Sequence, residues 1–365
     1  MTLLAVRRAQ ELCEFCPKMC RFACPVSEAT SREALTPWGK VSLAALSGKS
    51  PDASAALAFA GCTGCHRCAV YCAHDNNVPG ILYAARAAAV RAGVAPAAWT
   101  DLPMRFSAKG HGETADLAAV HATLRTGHGD ALLFPGCDAL AQGGGEARQA
   151  LFVAKELGAP LGLVPEGALC CGQKLVEGGH PELHLAHLGR VRALLAKPRQ
   201  PVHLVFLQPG CARSVLESWG LPEGSRVEHL TSYLASALAA LPERSRPPPL
   251  EESIVWHDPC ELARGLRETT APRALLAAAV KDFSEPLRSG LDTSCCGAGG
   301  LLPRTLPEVA AKLAEERRAE LAAASALSSG SPGVLTSSPG CAAALGAAEV
   351  VSVLARWLAQ GASRR

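Results

Sequence analysis

From residue 130 onward, short apolar runs alternate with longer stripes of apolar residues at helical spacing. Ala131-Leu132-Leu133-Phe134 is a run of four that stops at Pro135-Gly136-Cys137, which reads as a strand feeding a turn. Glu146 to Leu157 carries Ala147, Ala150, Leu151 and Ala154 on one helical face. Val202 to Leu207 is again a strand, and it too runs into Pro-Gly-Cys, at Pro209-Gly210-Cys211. Strands alternating with helices predict a parallel sheet with helices packed on it. The pattern then restarts at Ile254-Val255-Trp256 and closes on a helix containing Trp357-Leu358, which lies 124 residues after Tyr233-Leu234. The cysteines recur in step, at offsets of 123 (Cys137 to Cys260), 125 (Cys171 to Cys296) and 130 (Cys211 to Cys341). Gln208-Pro209-Gly210-Cys211 matches Ser338-Pro339-Gly340-Cys341. Self-similarity at a fixed period predicts two tandem duplicated α/β domains with parallel sheets.

Upstream the pattern is helical. Ser31 to Leu46 opens on a cap at Ser31, breaks at Thr36-Pro37-Trp38-Gly39 and resumes over Val41 to Leu46. Pro51 to Ala60 lies between the two cysteine groups, and Ile81 to Arg91 is alanine-rich with apolar residues at helical spacing. The expected division is a helical domain over 1–95 and a linker over 96–129 with one short helix near Leu117 to Leu124. The first repeat then runs over 130–241, a proline-rich linker over 242–251 and the second repeat over 252–365.

Bulk composition narrows the class. The chain has 365 residues, 48% hydrophobic and 19% charged, so it can bury a core. A formal charge of +3 is too weak to suggest a nucleic-acid partner. At the N-terminus the few apolar residues precede Arg7-Arg8, the wrong order for a secretory signal. The longest uncharged stretch, Leu321 to Ala348, is broken at residues 328–333 and at Pro339-Gly340, so it does not read as a membrane span. A cytoplasmic chain is expected, with any contact to the inner face of the cell membrane peripheral.

Sixteen cysteines carry the chemistry. Eight lie before residue 95, as Cys13, Cys16, Cys20 and Cys24 with Pro25 next, then Cys62, Cys65, Cys68 and Cys72. The second group has the bacterial ferredoxin spacing C-x2-C-x2-C-x3-C, without its usual proline; the first keeps the proline but has three residues between its second and third cysteines. In that motif three close cysteines hold one [4Fe-4S] cluster and the fourth serves the other. Cys13, Cys16, Cys20 and Cys72 are therefore expected at one cluster, and Cys62, Cys65, Cys68 and Cys24 at the other. The predicted fold is an α-helical ferredoxin domain followed by the two α/β repeats. His66 and His74 lie in or beside the motif and are read as shielding or tuning a cluster. Zinc is the competing reading, since C-x2-C also suits zinc.

The other eight cysteines form two sets, Cys137, Cys170, Cys171 and Cys211, then Cys260, Cys295, Cys296 and Cys341. Each set is built on a doublet followed by glycine. Adjacent side chains in an extended chain point apart, so one centre takes both sulfurs only where the backbone turns sharply, and glycine permits that turn. Pro-Gly-Cys at a strand end puts a thiolate at the carboxyl edge of the sheet, where open α/β sheets bind ligands. Each set is expected to hold one metal centre, [4Fe-4S] or zinc. His180, His184 and His187 share a helical face, which reads as a half-buried row before it reads as a metal site. Gly297-Ala298-Gly299-Gly300 lacks the spacing and the lysine of a nucleotide loop.

The eight N-terminal cysteines, Phe134-Pro135-Gly136-Cys137, His257-Asp258-Pro259-Cys260 and Cys295-Cys296-Gly297 together resemble a known family, and the resemblance covers nearly the whole chain. It is the iron–sulfur proteins with two cysteine-rich CCG domains behind a two-cluster ferredoxin domain. Among them are the glycolate oxidase iron–sulfur subunit, the small subunit of anaerobic glycerol-3-phosphate dehydrogenase, lactate-utilisation proteins and heterodisulfide reductase subunits. In the heterodisulfide reductases each such domain ends in C-x-x-C and gives five ligands to a non-cubane cluster. Here Ser214 and Ala344 stand where the fifth cysteine would be, which favours electron transfer over disulfide chemistry. The resemblance implies a subunit that passes electrons from a flavoprotein dehydrogenase of hydroxy-acid or glycerol-phosphate type to a quinone or another carrier, with no catalytic residue of its own. The alternatives are a disulfide reductase acting at the CCG sites and a non-redox zinc scaffold.

Overall fold

A computed structural model describes residues 3–124, 129–195, 200–325 and 333–362. Met1 and Thr2 lie outside these, as do residues 125–128 of the expected linker and 328–332 of the break in the uncharged stretch.

The first half-repeat of strand and turn forms as its residues dictate. Strand β1, Ala131–Phe134, is flanked by β2, Gly162–Leu163, and by β3, His203–Phe206, with β4, Arg226–His229, at the far edge. All pairings are parallel, with Leu133 opposite both Leu163 and Val205. The second sheet repeats that order. Strand β5, Leu250–Trp256, lies between β6, Val280–Ser284, and β7, Gly333–Thr336, and β8, Ala348–Glu349, closes the edge. Two four-stranded parallel sheets with the same strand order are what a duplication leaves behind. Leu133, Phe134, Leu204, Val205 and Phe206 are buried on both faces, the near-continuous apolar run that a helix-covered parallel sheet needs. Helices Leu230–Ala240 and Val350–Ala362 follow β4 and β8, carrying Tyr233-Leu234 and Trp357-Leu358 respectively.

The N-terminal part is helical throughout its described residues: Leu3–Phe15, Pro25–Thr30, Pro37–Ser47, Ala53–Ala60 and Val78–Arg91 are the main elements. One local expectation is corrected. Thr36-Pro37-Trp38-Gly39 is not a break but a helix start: the Thr36 hydroxyl accepts from the Gly39 N–H at 3.1 Å and Pro37 stands at the first helical position. Ser31 instead ends the preceding helix, in the left-handed region at φ 52°. The segment 96–129, read as a linker with one helix, holds three short ones among its described residues, Ala97–Thr100, Leu102–Lys109 and Leu117–Ala122. Trp99, Leu102, Phe106 and Leu117 from this segment join the main apolar core. Outside the expected helix near Leu117 the apolar residues look like no helix in sequence, because the other two helices are only one or two turns long.

Arg86, from helix Val78–Arg91, is fully buried and ties the parts together. Its guanidinium donates to the carbonyls of Phe59, Ala60 and Cys62, to that of Glu177 in the first repeat and to that of Gly300 in the second, at 2.8–3.4 Å. The Trp99 ring centroid lies 5.1 Å from the guanidinium carbon. Arg86→Leu should remove the donors and leave several buried carbonyls unpaired, at about 1–3 kcal/mol each. The expected outcome is a loss of at least ~3 kcal/mol in denaturant unfolding of the anaerobically prepared chain. A variant within ~0.5 kcal/mol of the wild type would show that the contacts contribute nothing net.

Candidate functional site

The doublets turn as their glycines allow. Gly172 has φ 79° and Gly297 φ 85°, and in each loop the glycine N–H lies 3.4 Å from the sulfur of the first doublet cysteine, Cys170 or Cys295. A Cβ at Gly172 would sit 2.8 Å from the His187 ring, and one at Gly297 would sit 2.7 Å from the Ala310 carbonyl oxygen. The lone cysteines arrive from strand ends. Cys137 follows β1 through Gly136 at φ 80°, Cys211 follows β3, Cys260 follows β5 and Cys341 follows β7.

The two repeats gather their sulfurs in the same way. In the first, Cys171 and Cys211 sulfurs are 3.0 Å apart and Cys137 pairs with Cys170. In the second, Cys296 and Cys341 sulfurs are 3.3 Å apart and Cys260 pairs with Cys295. Among the described residues all sixteen cysteines are free thiols, and Cys16, Cys72 and Cys260 are half-buried while the other thirteen are buried. Four converging buried thiols suit a tetrahedral metal or a cubane equally. Hydrogen bonding to Cys170 and then burial push the Cys137 thiol well up, and contact with Cys171 and then burial do the same to Cys211. Cys295 is driven the other way, by its interaction with Cys260 and then Cys65, which outweigh Cys296 and burial.

In the helical part the cysteines also form two groups. Cys20 faces Cys13, Cys16 and Cys72, and burial followed by these neighbours pushes its thiol up to about 11. Asn76 donates through Nδ2 to the Cys13 sulfur at 3.2 Å and through its backbone N–H to that of Cys72 at 3.5 Å. Cys24, Cys62, Cys65 and Cys68 surround the buried Lys40, whose Nζ lies 3.7 Å from the Cys24 sulfur and donates to the Gly61 carbonyl at 2.6 Å. Burial opposes the Lys40 charge, yet the sulfurs outweigh it and its pKa rises. A lysine amid four thiols is the counter-charge that ionised sulfurs in a low-dielectric site require. Its only signal in the sequence is its place as a lone cation just before the apolar stretch Val41 to Leu46.

The second repeat adjoins this group directly. The Cys295 sulfur lies 3.4 Å from the Thr63 hydroxyl, and Cys65 interacts with Cys295. Gly299 and Gly300, the glycines that lack nucleotide-loop spacing, serve this junction. A Cβ at Gly300 would fall 2.1 Å from the Cys62 carbonyl oxygen, and one at Gly299 would fall 2.4 Å from that of Thr63. Arg264, on the π-type turn Glu261–Gly265 after Cys260, reaches back to donate to the Cys65 carbonyl at 2.6 Å.

The histidines divide by role. His180, His184 and His187 do not converge on a metal: their ring nitrogens bond the carbonyls of Trp99, Gly172 and Cys170 at 2.8–3.1 Å. Two of them therefore hold the first doublet loop in place. Burial lowers His184 to about 4, so it stays neutral near pH 7. His66 accepts from Arg213 at 3.1 Å, and burial and that cation lower it to about 4 as well. His74 is exposed. A ring nitrogen of His257, by contrast, lies within 4.8 Å of the Cys296 and Cys341 sulfurs, a placement that no sequence spacing signalled.

Between the repeats opens a cleft of about 660 Å³. Asp138, Lys174 and Glu177 line it from the first repeat, and Cys296, Arg304 and Arg318 from the second. Lys174 bridges Glu113 and Asp138.

Two parallel-sheet units, each bringing four thiols to its carboxyl edge, define a tandem cysteine-rich, metal-binding protein. A family profile described as cysteine-rich domain, CCG, matches residues 131–215 and 254–346. The chain therefore carries two such domains. It is 30% identical to a subunit of the dihydromethanophenazine:CoB–CoM heterodisulfide reductase of Methanosarcina barkeri, over 70% of the chain and 66% of that protein. It is 25% identical to a subunit of the fumarate reductase (CoM/CoB) of Methanothermobacter marburgensis, over 70% of the chain and 51% of the relative. A third relative, lactate utilization protein A of Shouchella clausii, is 26% identical over 42% of the chain and 66% of its own length. The chain thus spans between half and just under two thirds of these relatives. Among the described residues no helix is long and apolar enough to cross a membrane.

Glu177 gives a test of the cleft's electrostatics. Burial raises its carboxyl to about 7 against the partial relief of Arg86. The folded chain then keeps a proton that the unfolded chain releases above pH ~4.5, so stability falls as pH rises through that window and levels off above ~7. Glu177→Gln should match the wild type near pH 5 and exceed it by on the order of 2 kcal/mol near pH 7.5 in denaturant melts. Parallel pH profiles for the two proteins would contradict the assignment.

Proposed function

We propose that the chain is the iron–sulfur electron-transfer subunit of a dehydrogenase or reductase complex. Its N-terminal part is a two-cluster ferredoxin domain, with one [4Fe-4S] cluster at Cys13, Cys16, Cys20 and Cys72 and the other at Cys62, Cys65, Cys68 and Cys24. Cys137, Cys170, Cys171 and Cys211, and Cys260, Cys295, Cys296 and Cys341, hold a further centre each, [4Fe-4S] in preference to zinc. Such groups supply one-electron storage, and the protein supplies position and charge. A flavoprotein subunit delivers the electrons, and a quinone or another carrier takes them. The chain works in the cytoplasm, with any membrane contact peripheral or made through a partner.

The observation that carries this reading is the junction at Cys295, whose sulfur lies 3.4 Å from the hydroxyl of Thr63, between Cys62 and Cys65, and so brings the ferredoxin part against the second repeat. The cations beside the sulfurs favour iron–sulfur over a neutral structural role. Lys40 stands by Cys24, Arg264 by Cys65 and Cys260, and Lys174 by Cys137. Disulfide reduction is the second reading. It is favoured by the relative named as a heterodisulfide reductase subunit and by the cleft that opens at Cys296.

The crossed ligand set has a direct test. Cys24→Ala should perturb first the cluster held by Cys62, Cys65 and Cys68 in electron paramagnetic resonance of the reduced chain. Two unaltered cubane signals in both the Cys24→Ala and Cys72→Ala variants would show the assignment to be wrong.

Function is tested separately. The isolated chain should be reduced by dithionite yet fail to oxidise a hydroxy acid, and addition of its flavoprotein should restore turnover with an artificial acceptor. Sustained heterodisulfide reduction by the lone chain from reduced viologen, abolished by Cys295→Ala or Cys296→Ala, would instead establish the reductase reading.

A further inference from the structure

The repeats match in strand order and in sulfur geometry, but not in what stands beside the sulfurs. The offset that relates Cys137 to Cys260 relates Phe134 to His257. Phe134 is fully buried and stacks on Phe206 at 4.8 Å between centroids. His257 is 1% exposed, and a ring nitrogen lies within 4.8 Å of the sulfurs of Cys296 and Cys341. The first repeat offers a hydrocarbon where the second offers an imidazole.

What that imidazole does is decided by its other face. The Arg317 Nε–H points at His257 Nδ1 at 3.0 Å. A guanidinium has no acceptor, so Nδ1 must be the accepting nitrogen and the ring proton must sit on Nε2. Arg317 is itself held, donating to Glu320, to the Arg288 carbonyl at 3.0 Å and to the Thr293 hydroxyl at 3.3 Å. Nε2 is buried and has no hydrogen-bond partner among the described residues. A metal-ligating histidine normally donates its second N–H to a carbonyl or carboxylate, and here that nitrogen meets a cation instead. Ligation would require loss of the Nε2 proton as well, so the arrangement fits a donor and not a ligand.

We infer that His257 is a potential-setting residue of the second repeat: with a centre bound at Cys296 and Cys341, its Nε2–H, left free by the Arg317 contact at Nδ1, is the donor that faces the thiolate sulfurs. Hydrogen bonds to cluster sulfurs raise reduction potential by stabilising the more negative state. The second repeat, which is also the one touching Cys65, thereby becomes the easier of the two repeats to reduce. The inference rests on the iron–sulfur reading of that repeat.

The test uses the full chain prepared without oxygen. The repeat-two signal is identified as the one that Cys295→Ala removes, and its midpoint is measured by redox titration followed by electron paramagnetic resonance. His257→Phe, which copies the first repeat, should make that centre about tenfold harder to reduce at a fixed potential, ~59 mV for a one-electron couple. His257→Gln keeps an N–H donor and should recover part of the shift. Potentials of the N-terminal centres should not move. Because a substituted core can fail to fold, a second measurement needs no variant: electron–nuclear double resonance on the wild type carrying 15N-histidine should show a weak, hydrogen-bonded nitrogen coupling. A repeat-two potential unmoved in His257→Phe, or a strong directly bonded nitrogen coupling in the wild type, would overturn the inference while leaving the iron–sulfur reading intact. A wild-type chain with no iron signal dependent on Cys295 would overturn that reading, and the inference with it.

Discussion

A single buried guanidinium holds three parts of this chain in one arrangement. Among the described residues no carboxylate hydrogen-bonds Arg86; its donors are spent on backbone carbonyls from the helical part, the first repeat and the second. Burying a cation this way is tolerable only when its donors are satisfied. The positions of Cys62, Glu177 and Gly300 are therefore fixed against one another, and with them the junction of Cys65 and Cys295. Gly299 and Gly300 complete the constraint, because any side chain there would collide with the Cys62 and Thr63 carbonyls.

The same physics recurs around the sulfurs. A thiolate centre in a low-dielectric interior is costly unless cations and N–H donors face it. Lys40 lies amid the Cys24, Cys62, Cys65 and Cys68 group, and Asn76 donates at Cys13 and Cys72. Arg264 and Arg317 serve the second repeat, and Lys174 serves the first. Each of the four sulfur groups thus has a cation or an amide donor facing it, which compensates negative charge at the sulfurs.

Duplication gave two sites of one geometry, and divergence then changed their surroundings. The doublet loop of the first repeat is braced by His184 and His187 through its carbonyls. That of the second repeat is braced by the helical part, through Thr63 and Cys65. One loop is fastened within its own repeat and the other at a junction, so the two sites do not stand in equivalent roles.

The repeat, the strands that end in Pro-Gly-Cys and the sharp turn of each doublet were legible in the residues alone. Each rests on short-range facts: an apolar period, a fixed φ, a glycine that tolerates positive φ. Some local signals misled, since Thr36-Pro37 starts a helix and the segment from Pro96 buries Trp99 and Phe106. What no spacing could state is which distant groups meet. Arg86 and Gly300 are 214 residues apart, and His257 and Arg317 are 60 apart. A buried donor takes its meaning from the acceptor it faces, and only the tertiary packing of the two sheets and the helical part sets that acceptor in front of it.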